Sequence, residues 1–427
     1  MAEMLARDSS DRRPAPDIAG EAPTPQAGGV DLSDPETFVS GVPHEAFGKL
    51  RRTEPVSWQD ELEGTGFWSL TKYADVHACS RNHRVFSSGR KGCFMFDSPP
   101  EDLERMQLMM VNMDPPRHTK LRAIVNKGFT PVRMRAIEHH VREVCKQIID
   151  NVAGRGECDF VTHVAAELPL QVIAELLGVP LEERQKVFDW SNRLIGFDDP
   201  EFQTSMEDGK IAAAELYVYA NQLAADRRDD PKDDLTSILM NAEVEGEKLS
   251  ELEFDLFFLL LAVAGNETTR NLISGGMLQL IQNPAERARL IADRSLVPTA
   301  VEEMLRTVTP VMHFRRTATQ DIEVGGRTIR EGDKVIFWYV SANRDEDVFA
   351  DPDRFDVGRT PNDHLAFGIG QHFCLGANLA RLEIRIMFEE LLRRLPDVEL
   401  AGPVRRLRSN FINGIKSMPV RFTPARS

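Results

Sequence analysis

The sequence has few cysteines, and they do not form the patterns that disulfide or zinc cross-links need. Five are present among 427 residues, which is an odd number. They are widely separated along the chain, at Cys79, Cys93, Cys145, Cys158 and Cys374. Neither a disulfide framework nor the paired spacing of a zinc site can be drawn from them. Because free thiols persist in a reducing compartment, this usage predicts a cytoplasmic protein.

Long hydrophobic runs are also missing. The longest apolar stretch, residues 256–265, covers about half of the roughly 20 residues that a membrane-spanning helix needs. The first residues lack the apolar segment of a signal peptide. We therefore expect no membrane anchor.

A surplus of basic residues is absent. The chain carries 52 lysines and arginines against 67 aspartates and glutamates, for a net charge of −15. Nucleic-acid-binding proteins usually show the opposite balance, so this class is disfavoured. The hydrophobic content of 42% is that of a soluble globular protein with ample material for a core.

The distribution of periodic segments predicts the fold class. Residues 1–30 are rich in Pro, Ala, Gly, Asp and Arg and show no periodicity, which predicts a disordered tail. A single domain is expected over residues 31–427. Helical spacing dominates it, especially over 134–300, while alternation at 67–70 and a Gly325-Gly326 turn predict a small β region. The expected fold is mainly α, with about a dozen helices and minor β.

One stretch near the C-terminus carries a distinctive arrangement of glycines around a single cysteine. Residues 367–376, which we call the cysteine loop, read Phe-Gly-Ile-Gly-Gln-His-Phe-Cys-Leu-Gly. The glycines predict a tight loop, and helical spacing from 377 places Cys374 near a helix N-terminus, where a thiolate is favoured. A thiolate among backbone N–H groups is suited to bind iron. The alternative is a buried free cysteine on a turn.

The pattern Phe-Gly-x-Gly-x-His-x-Cys-x-Gly resembles the haem-binding loop of the cytochromes P-450, the haem-thiolate monooxygenases. The resemblance implies a haem b, an iron protoporphyrin IX with Cys374 as its axial metal ligand. It also implies haem contacts from other members of the loop, namely Phe367, Gly368, His372 and Gly376.

A second motif interrupts an apolar helical stretch. Residues 264–269 read Ala-Gly-Asn-Glu-Thr-Thr, and an acid with two threonines is unfavourable in a buried helix unless something uses them. The stretch is either two helices joined by a capped turn or one long helix with a local opening. It is similar to the oxygen-binding motif of the same family. The resemblance implies that Ala264 and Gly265 lie against the haem, while Thr268 and Glu267 are catalytic and deliver protons to dioxygen.

Further donors are spaced to bind carboxylates. His118 and Arg122 lie one turn apart on a helix predicted to begin after Asp114, an arrangement that suits carboxylates but also occurs on solvated helix faces. The resemblance implies that these two residues and Arg316 bind the haem propionates.

Glu303 and Arg306 share a helix face, which alone is a weak signal because such pairs are common. In the resembled family this pair is locked to a downstream arginine, matched here to Arg354, and holds the cysteine loop in place.

The substrate is less well determined by the sequence. The methionine-rich segment 87–114 is either a loop packed on the core or a flexible apolar wall over a cavity. Four stretches, 111–115, 167–171, 261–271 and 413–416, resemble the bacterial branch of the family that oxidises sterol side chains and methyl-branched lipids. We therefore expect hydroxylation of a steroid, terpenoid or methyl-branched lipid, with a smaller terpene alcohol as the alternative. The expected substrate wall consists of Met109, Val111, Leu260, Val263, Ala264, Val311 and Phe411.

The redox partner is expected to be a separate protein, because 427 residues leave no room for a fused flavin or iron–sulfur domain. The resemblance implies a ferredoxin with its reductase and a monomeric enzyme. A docking patch and ordinary solvated charge are both compatible with the basic residues Lys120, Lys127, Arg133, Arg135, Arg381, Arg385, Arg405, Arg406 and Arg408. Two other classes stay open: a haem-binding sensor or carrier, which would not need Glu267 and Thr268, and a peroxide-driven peroxygenase, which often replaces them.

Overall fold

The computed structural model describes residues 29–61, 64–244 and 246–425. The predicted disordered tail over residues 1–30 therefore lies almost entirely outside the described residues. Within those residues the chain forms fourteen α-helices and fourteen short strands. The prediction of a mainly α fold with minor β is confirmed.

The helices alternate with short connections along most of the chain. They are α1 (His44–Thr53), α2 (Tyr73–Arg81), α3 (Pro100–Met106), α4 (Arg117–Val125), α5 (Pro131–Ala153), α6 (Glu167–Leu177), α7 (Arg184–Ile195), α8 (Met206–Asp229), α9 (Leu235–Met240), α10 (Glu251–Gln282), α11 (Pro284–Ala292), α12 (Val297–Val308), α13 (Tyr339–Ala342) and α14 (Ala377–Arg394). The strands are β1 (Val56–Gln59), β2 (Phe67–Leu70), β3 (Phe86–Ser87), β4 (Glu157–Asp159), β5 (Glu243–Val244), β6 (Glu247–Lys248), β7 (His313–Ala318), β8 (Ile322–Val324), β9 (Arg327–Ile329), β10 (Lys334–Trp338), β11 (Glu399–Leu400), β12 (Arg405–Arg406), β13 (Ile415–Ser417) and β14 (Pro419–Arg421).

Helix α10 lies at the centre of the helical region. It begins with a capping box, in which the Ser250 hydroxyl and the Glu253 carboxylate each accept from the other residue's backbone N–H. It packs against α6, α7, α8, α12 and α14. The helix is α-helical from end to end, so the single long helix is confirmed and the predicted local opening is wrong. No break is needed because its buried polar groups, such as Glu267, find partners of their own.

The main sheet positions one side of the site. Its strand order is β1-β2-β10-β7-β3, with β10 parallel to β2 and antiparallel to β7. Val335 of β10 pairs with Arg316 of β7, which fixes that arginine in the sheet. Strands β8 and β9 form the hairpin predicted at Gly325-Gly326.

The core is continuous through the long helices. Its largest cluster joins buried residues of five helices: Ile148 of α5, Ile173 of α6, Phe258 of α10, Met304 of α12 and Met387 of α14. A smaller cluster lies against the sheet. No helix in the described ranges is long and apolar enough to cross a membrane.

Candidate active site

The cysteine loop has the tight conformation that its glycines predict. Gly368 (φ 66°) and Gly370 (φ 82°) both adopt the left-handed region. A Cβ atom at Gly370 would lie 2.7 Å from the carbonyl oxygen of Ser80. The backbone N–H of Cys374 donates to the carbonyl of Phe367 at 2.9 Å, and α14 begins three residues later. The loop therefore closes on itself and holds the cysteine just before a helix.

The environment of the Cys374 thiol combines burial with positive groups. Burial raises the pKa of the thiol, while the N–H of Gly376 and then the charges of Arg122 and Arg381 act to lower it. For the free thiol the net direction of the pKa shift is upward. Desolvation outweighs the dipole here. The same donors would stabilise the sulfur once it is bound to a metal, because coordination deprotonates a thiol.

Two cationic side chains, those of Arg122 and Arg316, lie near His372 of the cysteine loop and have no acidic partner in the described ranges. Arg316 is 5% exposed and donates to the carbonyl of Arg315 at 2.7 Å. Arg122 is half-buried and donates weakly to the carbonyl of Gln371, at 3.4 Å. In the described ranges neither arginine pairs with a carboxylate. Buried cations of this kind need an anionic partner, and haem propionates would supply one.

Two histidines complete this donor group. The ring of His118 lies 4.3 Å from the ring of His372, measured between centroids. His118 is 1% exposed, and its Nδ1 has no hydrogen-bond partner among the described residues. Burial and then the charge of Arg122 lower the pKa of His118 to about 4. A neutral imidazole with an unused nitrogen can donate to a carboxylate, as a propionate site requires.

Asp114 does not have the capping role that its position predicts. Its carboxylate accepts from the N–H groups of Ser88 and Gly89, at 2.9 and 3.2 Å, and α4 has no side-chain cap. The Ser88 hydroxyl lies 3.1 Å from Nε2 of His372. Asp114 therefore holds the turn that places a hydrogen-bonding group on this histidine.

The middle of α10 presents its small and hydroxyl residues outward from an otherwise buried helix. Ala264 is exposed, and the Thr268 hydroxyl donates to the Ala264 carbonyl at 2.9 Å. A Cβ atom at Gly265 would lie 2.8 Å from Ile173, so the glycine allows α6 to approach closely. Ala264 and Thr268 are one turn apart and face the same space.

Glu267 points away from this space. It is 0% exposed and forms a buried ion pair with Arg270. Arg270 in turn donates to Oδ1 of Asn192 on α7, at 2.7 Å. Burial raises the pKa of Glu267 although Arg270 opposes this. The carboxyl predicted to relay protons is thus held in a network between α10 and α7.

The buried ion pair on α12 is present, but its third member differs from the prediction. Glu303 and Arg306 are both 0% exposed, and Nε of Arg306 lies 2.8 Å from the Glu303 carboxylate. Nε of Arg359 also donates to Glu303, at 3.1 Å. The side chain of Arg354 is 60% exposed, and only its backbone carbonyl accepts from Arg306, at 3.2 Å. The assignment of Arg354 was wrong, because the turn after it brings Arg359 back onto Glu303.

This network reaches the cysteine loop through one asparagine. Arg306 donates to the carbonyl of Asn343 at 2.9 Å, and Oδ1 of Asn343 accepts from the N–H of Leu365 at 2.6 Å. The carbonyl of Leu365 accepts from the N–H of Gly368, at 2.9 Å. Asn343 and Arg359 were both missed at the level of sequence, since neither lies in a recognisable motif.

The residues predicted to form the substrate wall fall into two groups. Leu260, Val263 and Ala264 share one face of α10. Val311 and Phe411 lie in one apolar cluster that also includes Phe94 and Phe314. Met109 and Val111 are half-buried on either side of Met110, where a short 3-10 helix begins.

Most of the basic residues predicted to form a docking patch are paired with acids. Arg381 binds Glu302 at 2.7 Å, and Arg385 binds Glu138 at 2.7 Å. Arg133 pairs with Asp233, and Lys120 also has a partner. The side chain of Lys127 is outside the described part of the structure.

The cluster at 405–408 belongs to another surface. Arg405 pairs with Glu201, Arg408 with Glu36 at 2.9 Å, and Arg406 donates to Asn413. Arg135 on α5 is exposed without an ion-pair partner in the described ranges, and it lines a groove with Asn378 and Arg381 of α14. The predicted patch is therefore reduced to the surface around Arg135.

These features fit a haem that is bound through a thiolate. They are the thiol held in its loop, the unpaired arginines, the unused histidine nitrogen, and the alanine and threonine that face outward from α10. This arrangement defines a haem-thiolate protein. The comparisons agree with the geometry: the sequence profile described as Cytochrome P450 matches residues 36–400. The chain belongs to the cytochrome P450 family, and it is an oxidoreductase that acts as a monooxygenase.

Several relatives are similar over nearly the whole chain. The steroid C26-monooxygenase of Rhodococcus jostii (strain RHA1) is 43% identical over 407 residues, covering 93% of this chain and 85% of the relative. The methyl-branched lipid omega-hydroxylase of Mycobacterium tuberculosis (strain H37Rv) is 46% identical over 389 residues, covering 88% of this chain and 90% of the relative. A solved Mycobacterium marinum cytochrome P450 in complex with pseudoionone is 42% identical with a TM-score of 0.84, covering 89% of this chain and 94% of that chain.

Proposed function

We propose that this enzyme hydroxylates a steroid, terpenoid or methyl-branched lipid near a terminal methyl carbon, with electrons from a ferredoxin. The observation that carries the proposal is the apolar face of Leu260, Val263 and Ala264 on α10, on the side that Thr268 shares. Two relatives above 40% identity are a steroid C26-monooxygenase and a methyl-branched lipid omega-hydroxylase. Steroids and methyl-branched lipids expose mostly apolar surface, and burial of that surface contributes about 25 cal/mol per Å².

The proposed cofactor is haem b, with Cys374 as its iron ligand. Its propionates would be bound by Arg122, Arg316 and His118, with His372 beside them. When bound, the haem supplies the activation of dioxygen and the oxidation of a C–H bond. Ala264 is small enough to let the cofactor and substrate approach α10 closely.

The protein itself positions the substrate, excludes water from the site and delivers protons. The apolar side chains of α10 exclude water from the reacting carbon. Thr268 provides a hydroxyl on the open face of the helix, and Glu267 provides a carboxyl behind it. We propose that the Glu267 carboxyl and the Thr268 hydroxyl deliver protons together. A haem carrier that turns nothing over would need neither group.

Spectral titration of the ferric holoenzyme tests the substrate class. A steroid and a branched-chain lipid should bind more tightly than a short polar aromatic compound, because affinity rises with apolar area. Tightest binding of the polar aromatic would refute the lipid proposal and leave the monooxygenase assignment intact. Tightest binding of a small terpene alcohol would favour the alternative substrate.

Replacing Thr268 with alanine should uncouple electron transfer from product formation. The hydroxyl now hydrogen-bonded to the Ala264 carbonyl is lost, together with one methyl group. We expect product formed per electron consumed to fall by roughly 100-fold, the lower end of the range for general acid–base catalysis. Haem content and substrate affinity should stay at wild-type values.

Thr269 provides the matched control. It is the next residue along α10, but it is 4% exposed and is directed toward Glu383 of α14. The Thr269→Ala variant should keep the wild-type ratio of product to electrons. Equal ratios in wild type and Thr268→Ala, or equal losses in both variants, would contradict the proton-delivery role. Turnover with peroxide instead of reduced ferredoxin distinguishes a peroxygenase.

A ferredoxin is proposed to dock beside α14, on the side of the molecule where the cysteine loop ends. On the surface beside α14, Arg135 is exposed and forms no ion pair in the described ranges. The Arg135→Ala variant should weaken ferredoxin binding by roughly two- to fivefold at low salt, the range of one exposed ion pair. The control is Arg405→Ala, whose side chain pairs with Glu201 on another surface. An equal effect of both variants would refute this docking site.

The cytoplasm is the proposed location. None of the five cysteines forms a disulfide, and Cys158 is unpaired although it is only half-buried. Thiols that remain unpaired support a reducing compartment.

A further inference from the structure

A second cavity is lined in part by Phe411, a residue of the predicted substrate wall. Its volume is about 380 Å³, and its walls come from segments far apart in sequence, including Asp31, Phe94, Phe197 and His313. The ring of Phe411 is 5.6 Å from that of Phe314, which lies 5.8 Å from the Arg316 guanidinium. Phe411 therefore borders this cavity and also belongs to the apolar cluster with Val311 of the predicted substrate wall.

The apolar part of the cavity is built from stacked aromatic rings. Phe94 is stacked on Phe96 at 5.7 Å and meets Phe411 edge-on at 5.4 Å. Phe96 meets Phe197 edge-on at 5.7 Å. Phe197 follows α7, whereas Phe411 comes from the C-terminal segment. Such a wall offers a large, rigid surface to a hydrocarbon.

The polar part contains a buried histidine without a partner. His313 is 0% exposed, and neither ring nitrogen makes a hydrogen bond within the described residues. Asn410 lies beside the ring but donates instead to the carbonyl of Ser33, at 2.8 Å. Burial lowers the pKa of His313 to about 3, so the ring is neutral. It keeps one N–H donor and one acceptor for a ligand.

The charged groups that line the cavity are all acidic. They are Asp31, Asp34, Glu61 and Asp198, and no lysine or arginine joins them in the described walls. Glu61 is neutralised from behind by Lys334, at 2.7 Å. Arg408 lies outside the lining and donates to the Asp198 backbone carbonyl at 2.6 Å. A carboxylate entering here would meet Asp31 and Asp34, which pair with no cation in the described ranges, and no opposing cation among the described lining residues.

We infer that this cavity receives the end of the substrate remote from the oxidised carbon, and that this end carries a neutral hydroxyl or keto oxygen, not a carboxylate. The inference rests on the proposed function and makes its substrate class narrower. His313 binds the oxygen, since its ring can donate to a keto group or accept from a hydroxyl. The acids exclude anionic chains by like-charge repulsion.

The test compares three molecules with one branched carbon skeleton: phytane, phytanol and phytanic acid. Each is titrated into the ferric holoenzyme at neutral pH, and the spectral shift gives its dissociation constant. Phytanol should bind at least about tenfold more tightly than phytanic acid, because a like charge in the cavity is costly. The Asp198→Asn variant should narrow that difference.

The His313→Phe variant isolates the hydrogen bond. It should weaken phytanol binding by roughly three- to tenfold, the value of one hydrogen bond, and leave phytane binding unchanged. His140→Phe is the control, because His140 lies on α5 and pairs with Glu175. If the variant does not fold, the three wild-type constants still decide the question.

Three outcomes overturn the inference. The inference is refuted if phytanic acid binds the wild type as tightly as phytanol does. It is also refuted if His313→Phe weakens the binding of all three ligands equally. Either result refutes the inference alone when terminal hydroxylation is still observed. If none of the three molecules shifts the spectrum or is oxidised, the proposed function fails together with it.

Discussion

Replacing Cys374 with serine is expected to abolish monooxygenase activity and the thiolate signature in the spectrum of the reduced, carbon monoxide-bound protein. A serine hydroxyl is a much weaker electron donor than the thiolate sulfur, whose electron density favours cleavage of the O–O bond. The loss of activity should exceed the roughly 10- to 100-fold loss that follows when a residue hydrogen-bonded to a metal ligand is removed. The measurements are the reduced carbon monoxide spectrum, haem content and product formation.

Cys158→Ser is the matched control. Cys158 is also a half-buried free cysteine, but it lies in β4, far from the cysteine loop in sequence. Its replacement should leave the spectrum unchanged. A wild-type spectrum in the Cys374→Ser variant would refute the assignment of the iron ligand.

Replacing Arg306 with leucine should destabilise the protein by about 3–5 kcal/mol, because it leaves Glu303 buried without its closest cation. Both side chains are 0% exposed. The same change removes the hydrogen bond to the Asn343 carbonyl, and Asn343 holds Leu365 at the entry to the cysteine loop. The free energy of unfolding by urea and the fraction of protein that retains haem should therefore fall together.

Two further variants distinguish the arginine found in the network from the one predicted by motif matching. Arg359→Ala removes a side chain that is 10% exposed and bonded to Glu303, so it should also lower stability. Arg354→Ala truncates an exposed side chain and should change stability by no more than about 0.5 kcal/mol. If Arg354→Ala proves the more damaging variant, the network seen here is not the one that stabilises the loop.

The cysteine loop and α10 could be predicted from sequence because their determinants are local. Gly368 and Gly370 encode left-handed backbone within a few residues of Cys374. The apolar periodicity of α10 extends on both sides of its polar motif. In such segments the residue order itself carries the conformation.

The partners of individual charges could not be predicted in the same way. Arg354 and Arg359 are five residues apart in a loop, and only the path of the chain decides which one reaches Glu303. The ion pairs of Arg381 and Arg385 join residues distant in sequence. The Glu267–Arg270 pair is different, since a spacing of three residues on a helix was a visible signal.

For a related reason, the second cavity as a whole could not be predicted from the sequence. Phe94, Phe197, His313 and Phe411 meet only because four separate segments converge. The methionine-rich segment that contains Phe94 and the residue Phe411 were predicted to border a cavity. The segments of Phe197 and His313 have the composition of ordinary core or loop. His313 lies between Met312 and Phe314 in a strand, where a histidine usually indicates nothing more than a satisfied buried residue.

The parallel pairing of β2 with β10 has a consequence for how the chain is made on the ribosome. Phe67–Leu70 pair with a strand at Lys334–Trp338 that is synthesised more than 260 residues later. At about 5–20 residues per second, β2 waits roughly 15–50 s for that neighbour. Throughout this interval β1 and β2 form at most a two-stranded ribbon with an open apolar edge. The nascent chain is therefore most exposed to aggregation before its last hundred residues emerge, and slower growth at low temperature with ample chaperone should raise the yield of folded protein.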